Sequence, residues 1–274
     1  MRRRTALALL AASSNAVPAF AEMDEATEAK LKQVLTGSHR SPENKARDVY
    51  RHPLETLKFF GLNQSMTVLE VWPEAAWYTE ILAPLMKDSG RYIAADFDPT
   101  VSAAVKKMTD ALAAKFAGSP AVYGKAETGV LFPLTNKLAP APAGTVDMVL
   151  TFRNIHNWMA RDQQDMMFKS FYEVLKPGGR LGVVEHRAPA GQPQDPKAKN
   201  GYVREDLAIA MGEKAGFKLL GKSEVNANPK DTKNYPKGVW TLPPTLMEGE
   251  KDKDNYIAIG ESDRVTLLFE KPVR

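Results

Sequence analysis

The sequence predicts an α/β fold with a mainly parallel sheet that carries helices on both faces. A short β-branched and apolar run, residues 67–72, is followed by apolar residues at helical spacing in 76–86 and by a second apolar run in 91–97. This order of strand, helix and strand makes one βαβ unit of a nucleotide-type fold. Its two strands end in acids, Glu70 and Asp96. Ligands of such units lie beyond the carboxyl ends of the strands, so we expect a site there.

The rest of the chain continues this alternation of strands and helices. Apolar periodicity predicts further strands at 121–124, 146–152, 180–185, 217–225 and 264–269, and helices at 101–117, 162–175 and 203–215. Seven strands in this order suit a mainly parallel sheet with an antiparallel last strand. Residues 226–263 show no clear periodicity, and we expect them to form an ordered insertion that covers the ligand-binding edge.

The sequence divides into three parts. Residues 1–21 begin with three arginines, continue with an apolar middle and end in Ala-Phe-Ala, the pattern of a secretory signal peptide with a small-residue cleavage site. Residues 22–63 read as an N-terminal helical extension, and residues 64–274 as the α/β domain with its insertion at 226–263. We therefore expect the mature chain to begin near Glu22 and to be periplasmic or secreted.

Composition and charge exclude several classes of protein. The 43% hydrophobic and 26% charged residues are typical of a globular protein, which argues against disorder and against a membrane-spanning bundle. Loss of the three signal-peptide arginines lowers the formal net charge from +4 to +1. A nucleic-acid partner then has little electrostatic support. The chain has no cysteine, so disulfides and thiolate chemistry are excluded.

Two stretches carry a resemblance to a known superfamily. The acid-ended unit at residues 67–99 and the phrase FYEVLKPGGRLGVVEHR resemble the class I S-adenosylmethionine (SAM) methyltransferases, and the similarity spans residues 64–187. The phrases WPEAAWYTEIL, TFRNIHNW, VEHR, NPKDT and GESDR resemble more closely a branch of exported bacterial proteins described as predicted methyltransferases. The resemblance implies a Rossmann-like class I methyltransferase fold with a seven-stranded sheet.

The resemblance also implies a cofactor site. In the superfamily the first strand leads into acid-x-Gly-x-Gly-x-Gly, and the acid that ends the second strand binds the ribose hydroxyls of SAM. The three glycine positions are here Trp72, Glu74 and Ala76. A Trp and a Glu should crowd or repel a ligand in this turn, since glycine allows backbone conformations and close approaches that they do not. The cofactor-binding residues that the resemblance implies are Glu70, Trp72, Ala76, Tyr78, Asp96 and Asp98.

Polar residues that follow strands four and five are candidates for chemistry. His156 and His186 could each accept a proton from a substrate hydroxyl or amine, and Glu185 could orient either ring or hold a cation. Arg153, Asn154 and Arg187 would favour an anionic substrate group, although salt bridges within the fold would explain the arginines equally well.

The sequence leaves alternatives open. The first is SAM-dependent methyl transfer to a small molecule, with His156 as the base. The second is an exported relative that no longer binds SAM and acts as a different enzyme or as a binding protein for an anionic small molecule. The chain shows no histidine pair at metal-ligand spacing such as HxxxH, so we assign no metal, although its histidines and acids could converge after folding. A purely structural role is a third alternative.

Overall fold

The computed structural model describes residues 22–273 of the chain. The predicted signal peptide, residues 1–21, lies outside them. The helices are α1 Glu25–Thr36, α2 Pro42–Ala46, α3 Asp48–Arg51, α4 Pro53–Phe60, α5 Thr79–Met86, α6 Ala103–Gly118, α7 Pro120–Tyr123, α8 Ile155–Met159, α9 Gln164–Val174, α10 Glu205–Lys214 and α11 Lys253–Ile259. The strands are β1 Thr67–Val71, β2 Arg91–Asp96, β3 Glu127–Val130, β4 Val146–Phe152, β5 Leu175–His186, β6 Lys218–Ser223 and β7 Arg264–Glu270.

The seven strands form one sheet in the order β3-β2-β1-β4-β5-β7-β6. Neighbouring strands from β3 to β5 pair in parallel, whereas β7 pairs antiparallel with both β5 and β6. The predicted Rossmann-like class I methyltransferase fold with an antiparallel last strand is therefore confirmed. Because β7 runs against its neighbours, its first residue, Arg264, lies at the edge where the parallel strands end.

Two apolar clusters cover the two faces of the sheet. Side chains alternate along each strand, so Leu69 and Val149 pack on one face with helix α9, and Val68 and Met148 on the other with helix α5. Both faces are buried, as the nearly continuous apolar strands predict. No helix within residues 22–273 is long and apolar enough to cross a membrane.

The N-terminal helices have clear local causes. Ser41 caps α2 by accepting a hydrogen bond from the Asn44 amide, and Pro42 occupies the first turn, where its fixed φ favours a helix start. Gly61 ends α4 with a φ of 68°, which glycine adopts without strain. Helices α2 and α3 thereby bring Arg47 and Arg51 to the edge where the parallel strands end.

The third strand was predicted too early in the chain. Residues 121–124 lie in and just after α7, and β3 is formed by Glu127–Val130. Pro120 at the first helical position favours a helical turn at this point. The edge strand β3 is short and only partly buried, so it lacks the apolar run by which buried strands are recognised.

Candidate functional site

A cavity of about 350 Å³ lies at the edge of the sheet where β1, β4 and β5 end. Its walls come from the turn after β1, the ends of β4 and β5, helices α2 and α3, and the 226–263 insertion. The lining includes Arg47, Arg51, Glu70, Trp72, Glu74, Trp77, Tyr78, Phe152, Arg153, His156, His186, Trp240 and Arg264. A volume of this size falls in the range of small-molecule sites.

The turn after β1 has the backbone of a glycine turn without its glycines. Trp72, Glu74 and Ala76 have φ values of 48°, 47° and 61°. These are the three positions at which the superfamily motif has glycine. A left-handed conformation costs a residue other than glycine about 1 to 3 kcal/mol, so the surrounding structure holds this turn in place.

The side chain of Trp72 fills the space beyond the ends of β1 and β2. Its indole N–H donates to the carbonyl oxygen of Leu131 at 2.8 Å. The indole packs against Phe97 with ring centroids 4.7 Å apart, and Phe132 and Trp158 lie at 6.2 and 6.1 Å. Trp72 therefore crowds the turn, as the sequence predicts, and its side chain is buried in the core.

Asp96, which ends β2, and Asp98, two residues later, lie outside the cavity lining. Asp96 is buried, its carboxylate accepts the Phe97 amide, and burial together with the charge of Glu74 raises its pKa. Asp98 accepts two hydrogen bonds from Thr100, which lower the pKa of Asp98. Ala76 is also buried away from the cavity. The structure thus keeps Asp96 in its predicted position but does not open it to the cavity.

Glu70 is buried in a hydrogen-bonded group below the turn. Its Oε2 accepts the hydroxyls of Thr79 at 2.8 Å and Tyr92 at 2.5 Å. Burial raises the pKa of Glu70 to about 7, although these hydrogen bonds act in the opposite direction. A carboxyl group with a raised pKa stabilises the fold fully below its unfolded pKa of 4.5, and this contribution is lost as the pH rises through 7.

We expect Glu70→Gln to remove this pH dependence. Between pH 5 and 8 the wild type should lose about 2 to 3 kcal/mol of unfolding free energy relative to the variant, since one pKa unit corresponds to about 1.4 kcal/mol. Urea unfolding at several pH values measures the difference. Glu55→Gln, an exposed acid of α4, is the control. Parallel stability profiles for Glu70→Gln and the wild type would contradict the prediction.

His156 and Glu185 form a buried pair beside the cavity. The His156 Nδ1 lies 3.0 Å from Glu185 Oε1, and the other carboxylate oxygen accepts the Ile155 amide at 2.6 Å. A carboxylate can only accept at this contact, so Nδ1 is the donor, and in the neutral imidazole the lone pair is then on Nε2. Glu185 therefore fixes the tautomer and orientation of a ring that lines the cavity.

The second histidine lies next to the first. The rings of His186 and His156 have centroids 5.4 Å apart, and His186 Nδ1 lies 2.5 Å from the Ser262 hydroxyl. Burial, followed by the nearby His156 and Arg264, lowers the pKa of His186 well below its ordinary value. His186 is therefore a neutral hydrogen-bonding group at neutral pH.

His156, Glu185 and His186 offer ligand atoms that lie within 4.8 Å of one another, a grouping that could hold a metal ion. Both oxygens of Glu185 already accept hydrogen bonds from His156 and from the amides of Ile155 and His186. The guanidinium groups that line the same cavity also oppose a cation.

Four arginines, Arg47, Arg51, Arg153 and Arg264, line the cavity. Glu261 pairs with three of them, at 2.6 Å from Arg47, at 3.1 Å from Arg51 and in close contact with Arg264. Burial raises the pKa of Glu261, but the arginines, Arg264 first, outweigh it and lower this pKa far below its ordinary value. Glu261 is therefore ionised.

Aromatic rings complete the walls. Tyr78 stacks on Phe152 with centroids 3.4 Å apart, and burial raises the pKa of Tyr78 to about 12. Arg51 lies over the ring of Trp77 at 4.6 Å. Trp240, from the insertion, packs edge-on against His156. The insertion therefore reaches the cavity, as expected from a parallel sixth strand.

Two of the predicted substrate-binding residues are used elsewhere. Asn154 is buried and its amide donates to the carbonyl of Val71 and the hydroxyl of Thr151, which joins the ends of β1 and β4. Arg187 pairs with Asp263 and Glu224 and does not line the cavity. We therefore leave Asn154 and Arg187 out of the candidate site.

Glu261 and Arg264 lie in the phrase GESDR and are site residues that the sequence pattern does not predict. One signal could have placed them. An antiparallel last strand begins at the edge where parallel strands end, so residues at the start of β7 belong to the same edge as Arg153 and His156.

Comparisons with known proteins agree with this architecture. No family model and no curated protein matches the sequence. Among solved structures, a SAM-dependent methyltransferase from Aquifex aeolicus superposes with a TM-score of 0.52 and 17% identity, over 89% of this chain and 98% of its own. The cyclase SpnF gives a TM-score of 0.57 and 15% identity over 90% and 93% of the two chains. The chain therefore has the class I methyltransferase fold.

Proposed function

We propose that this protein is an enzyme that moves a proton on a small molecule held in the cavity, with His156 as the acid–base group. The observation that carries the proposal is the contact of Glu185 with His156, a residue that lines the cavity. Glu185 is a positioning residue, because it acts on the ligand only through His156. Aromatic rings and guanidinium groups around the histidine suit a small planar substrate.

The residues beside Asp96 do not fit the adenosine part of SAM. The Trp72 indole fills the space between Leu131 and Phe97, and within residues 22–273 the cavity lining does not include Asp96. Glu74 adds a second negative charge close to this acid. The proposed chemistry therefore contains no step that uses SAM.

SAM-dependent methyl transfer to a small molecule is the second candidate. The left-handed φ values of Trp72, Glu74 and Ala76 favour it, because they keep the backbone form of a cofactor-binding turn. Calorimetric titration of residues 22–274 with SAM separates the two candidates. The first predicts no heat up to millimolar SAM. Micromolar binding of SAM that disappears in Asp96→Ala would instead support SAM-dependent methyl transfer.

Proton transfer can be followed directly as hydrogen exchange. In D₂O, His156 Nε2 would take a proton from the carbon next to the keto group of a 2-oxo acid, leaving the C–H electron pair in an enolate, and a solvent deuteron would then be returned to that carbon. Pyruvate and phenylpyruvate are suitable probes, and proton NMR measures the exchange. We expect His156→Gln to slow enzyme-dependent exchange by 10² to 10⁴, the usual contribution of a general base.

Matched variants separate a catalytic role from a structural one. Arg161 is exposed and close to His156 in the sequence, and Arg161→Gln should leave the exchange rate unchanged. Glu185→Gln should slow exchange and abolish the Nδ1–H preference of His156 in ¹⁵N NMR, and Glu185→Asp should restore part of both. Exchange of both probes no faster than in buffer would refute the proposal.

The proposal includes export, on the basis of residues 1–21 and their signal-peptide pattern. The working compartment would then be the periplasm or the medium, where the protein meets its small molecule. Mass spectrometry of the exported protein should find an N-terminus near Glu22. An intact N-terminus and retention inside the cell would contradict it.

A further inference from the structure

We propose that Arg47, Arg51, Arg153 and Arg264 together bind the anionic group, a phosphate or a carboxylate, of a small ligand in the cavity. The inference rests on the cavity being the ligand site of the proposed function, and it deepens that proposal by naming the class of substrate.

The charges around the four arginines do not balance. Among residues 22–273, Glu261 is the acid within ion-pair distance of Arg47, Arg51 and Arg264. Its single negative charge faces four guanidinium groups, and Glu70, a buried acid of the same lining, carries only part of a charge at neutral pH because its pKa is raised to about 7. Glu74 lies near Arg153 but is exposed to solvent, so its charge is screened more strongly than that of Glu261. The cavity therefore holds an excess of positive charge.

Several donors in this group lack a partner. Arg51 is 3% exposed, and its Nη1 has no hydrogen-bond partner among the described residues. The Nε of Arg264 is also buried without a partner. The guanidinium of the half-buried Arg153 forms no ion pair or hydrogen bond within residues 22–273. Unpaired buried donors on charged groups are costly, and an anion placed among them would offset this cost.

The arginines also repel one another. Burial, and after it the charge of Arg153, lowers the pKa of Arg51, and burial followed by Arg264 lowers that of Arg153. A purely structural group would be expected to have one acid for each buried base, as Arg40 has in Asp48. Guanidinium groups bind phosphate and carboxylate through paired, planar hydrogen bonds. A bound anion would therefore relieve the repulsion and satisfy the free donors.

The other residues of the cavity wall limit the size and shape of the ligand's organic part. Trp77, Tyr78 and Trp240 contribute apolar ring atoms to the lining, and His186 is neutral because burial lowers its pKa. A cavity of about 350 Å³ has room for a small organic body beside the anionic group. We therefore expect a compact, partly planar organic anion.

Calorimetric titration of residues 22–274 tests this inference with three probes of similar size. Phenyl phosphate and benzoate carry the two anionic groups, and benzyl alcohol carries none. We expect heat with at least one anion, weaker binding at higher salt, and none with benzyl alcohol at the same concentrations. The stronger of the two anions identifies the group. Equal binding of all three probes, or no binding of either anion up to 10 mM, would overturn the inference.

Arg153→Gln provides the matched variant, because it removes a guanidinium that has no partner. We expect binding at least tenfold weaker and an unchanged or raised melting temperature in the absence of ligand. Arg161→Gln should bind as the wild type does. A variant that binds normally but melts lower would instead assign Arg153 a structural role and overturn the inference for this residue.

The outcomes also separate this inference from the proton-transfer proposal. Anion binding that depends on Arg153, together with exchange that is unaffected by His156→Gln, would retain the anion site and reject His156 as the acid–base group. Exchange that depends on His156, together with no selectivity for anions, would retain His156 as the acid–base group and reject the anion site.

Discussion

Replacing Glu261 with Gln should lower the free energy of unfolding by about 3 to 5 kcal/mol, because a buried ion pair that loses one partner leaves the other charges uncompensated. The side chain of Glu261 is 1% exposed and pairs with Arg47, Arg51 and Arg264. For a chain of this length the loss corresponds to a fall in melting temperature of roughly 10 °C. Differential scanning calorimetry at pH 7 measures it.

An added anion should restore part of this stability. With the carboxylate removed, the arginines would have no ion-pair partner among residues 22–273, so phosphate should raise the melting temperature of Glu261→Gln more than that of the wild type. Glu224→Gln is the control, since Glu224 pairs with Arg187 but is 65% exposed, and surface pairs contribute at most about 1 kcal/mol. A variant as stable as the wild type would show that Glu261 does not hold the arginines together.

Replacing Trp72 with Gly should also lower the free energy of unfolding, but for a different physical reason. Deleting a buried aromatic side chain costs about 3 to 5 kcal/mol, and the relief of a left-handed Trp returns about 1 kcal/mol or more. The variant should contain a cavity between Leu131, Phe97, Phe132 and Trp158. We therefore expect a lower melting temperature and a new binding site.

Free indole should fill that cavity and raise the melting temperature of Trp72→Gly while leaving the wild type unchanged. Trp240→Gly is the control, because Trp240 is only half-buried and its loss should leave no sealed space. Titration with S-adenosylhomocysteine adds a second measurement. Binding by Trp72→Gly, but not by the wild type, would show that the indole blocks a nucleoside. A melting temperature of Trp72→Gly within one degree of the wild type would contradict the role of Trp72 as a stabilising core side chain.

Much of the fold was predictable because strand burial and helix periodicity are local properties of the sequence. The buried strand β4 was predicted at its observed bounds, and the antiparallel β7 was expected from the pattern as a whole. The edge strand β3 was misplaced, since a short and only partly buried strand carries no apolar run. The left-handed turn was located by its acid, Glu70, but the sequence could not show that Trp72, Glu74 and Ala76 all adopt positive φ.

The sequence by itself determined the order of strands and helices, the acids at the strand ends and the presence of His156, Glu185 and Arg153 at one edge of the sheet. Only the tertiary structure decided which of these residues share a cavity. Arg51 and Glu261 are 210 residues apart and meet because α3 and the start of β7 reach the same edge. Charge balance and burial arise from such distant contacts, so the excess of arginine over acid became visible only in the folded chain.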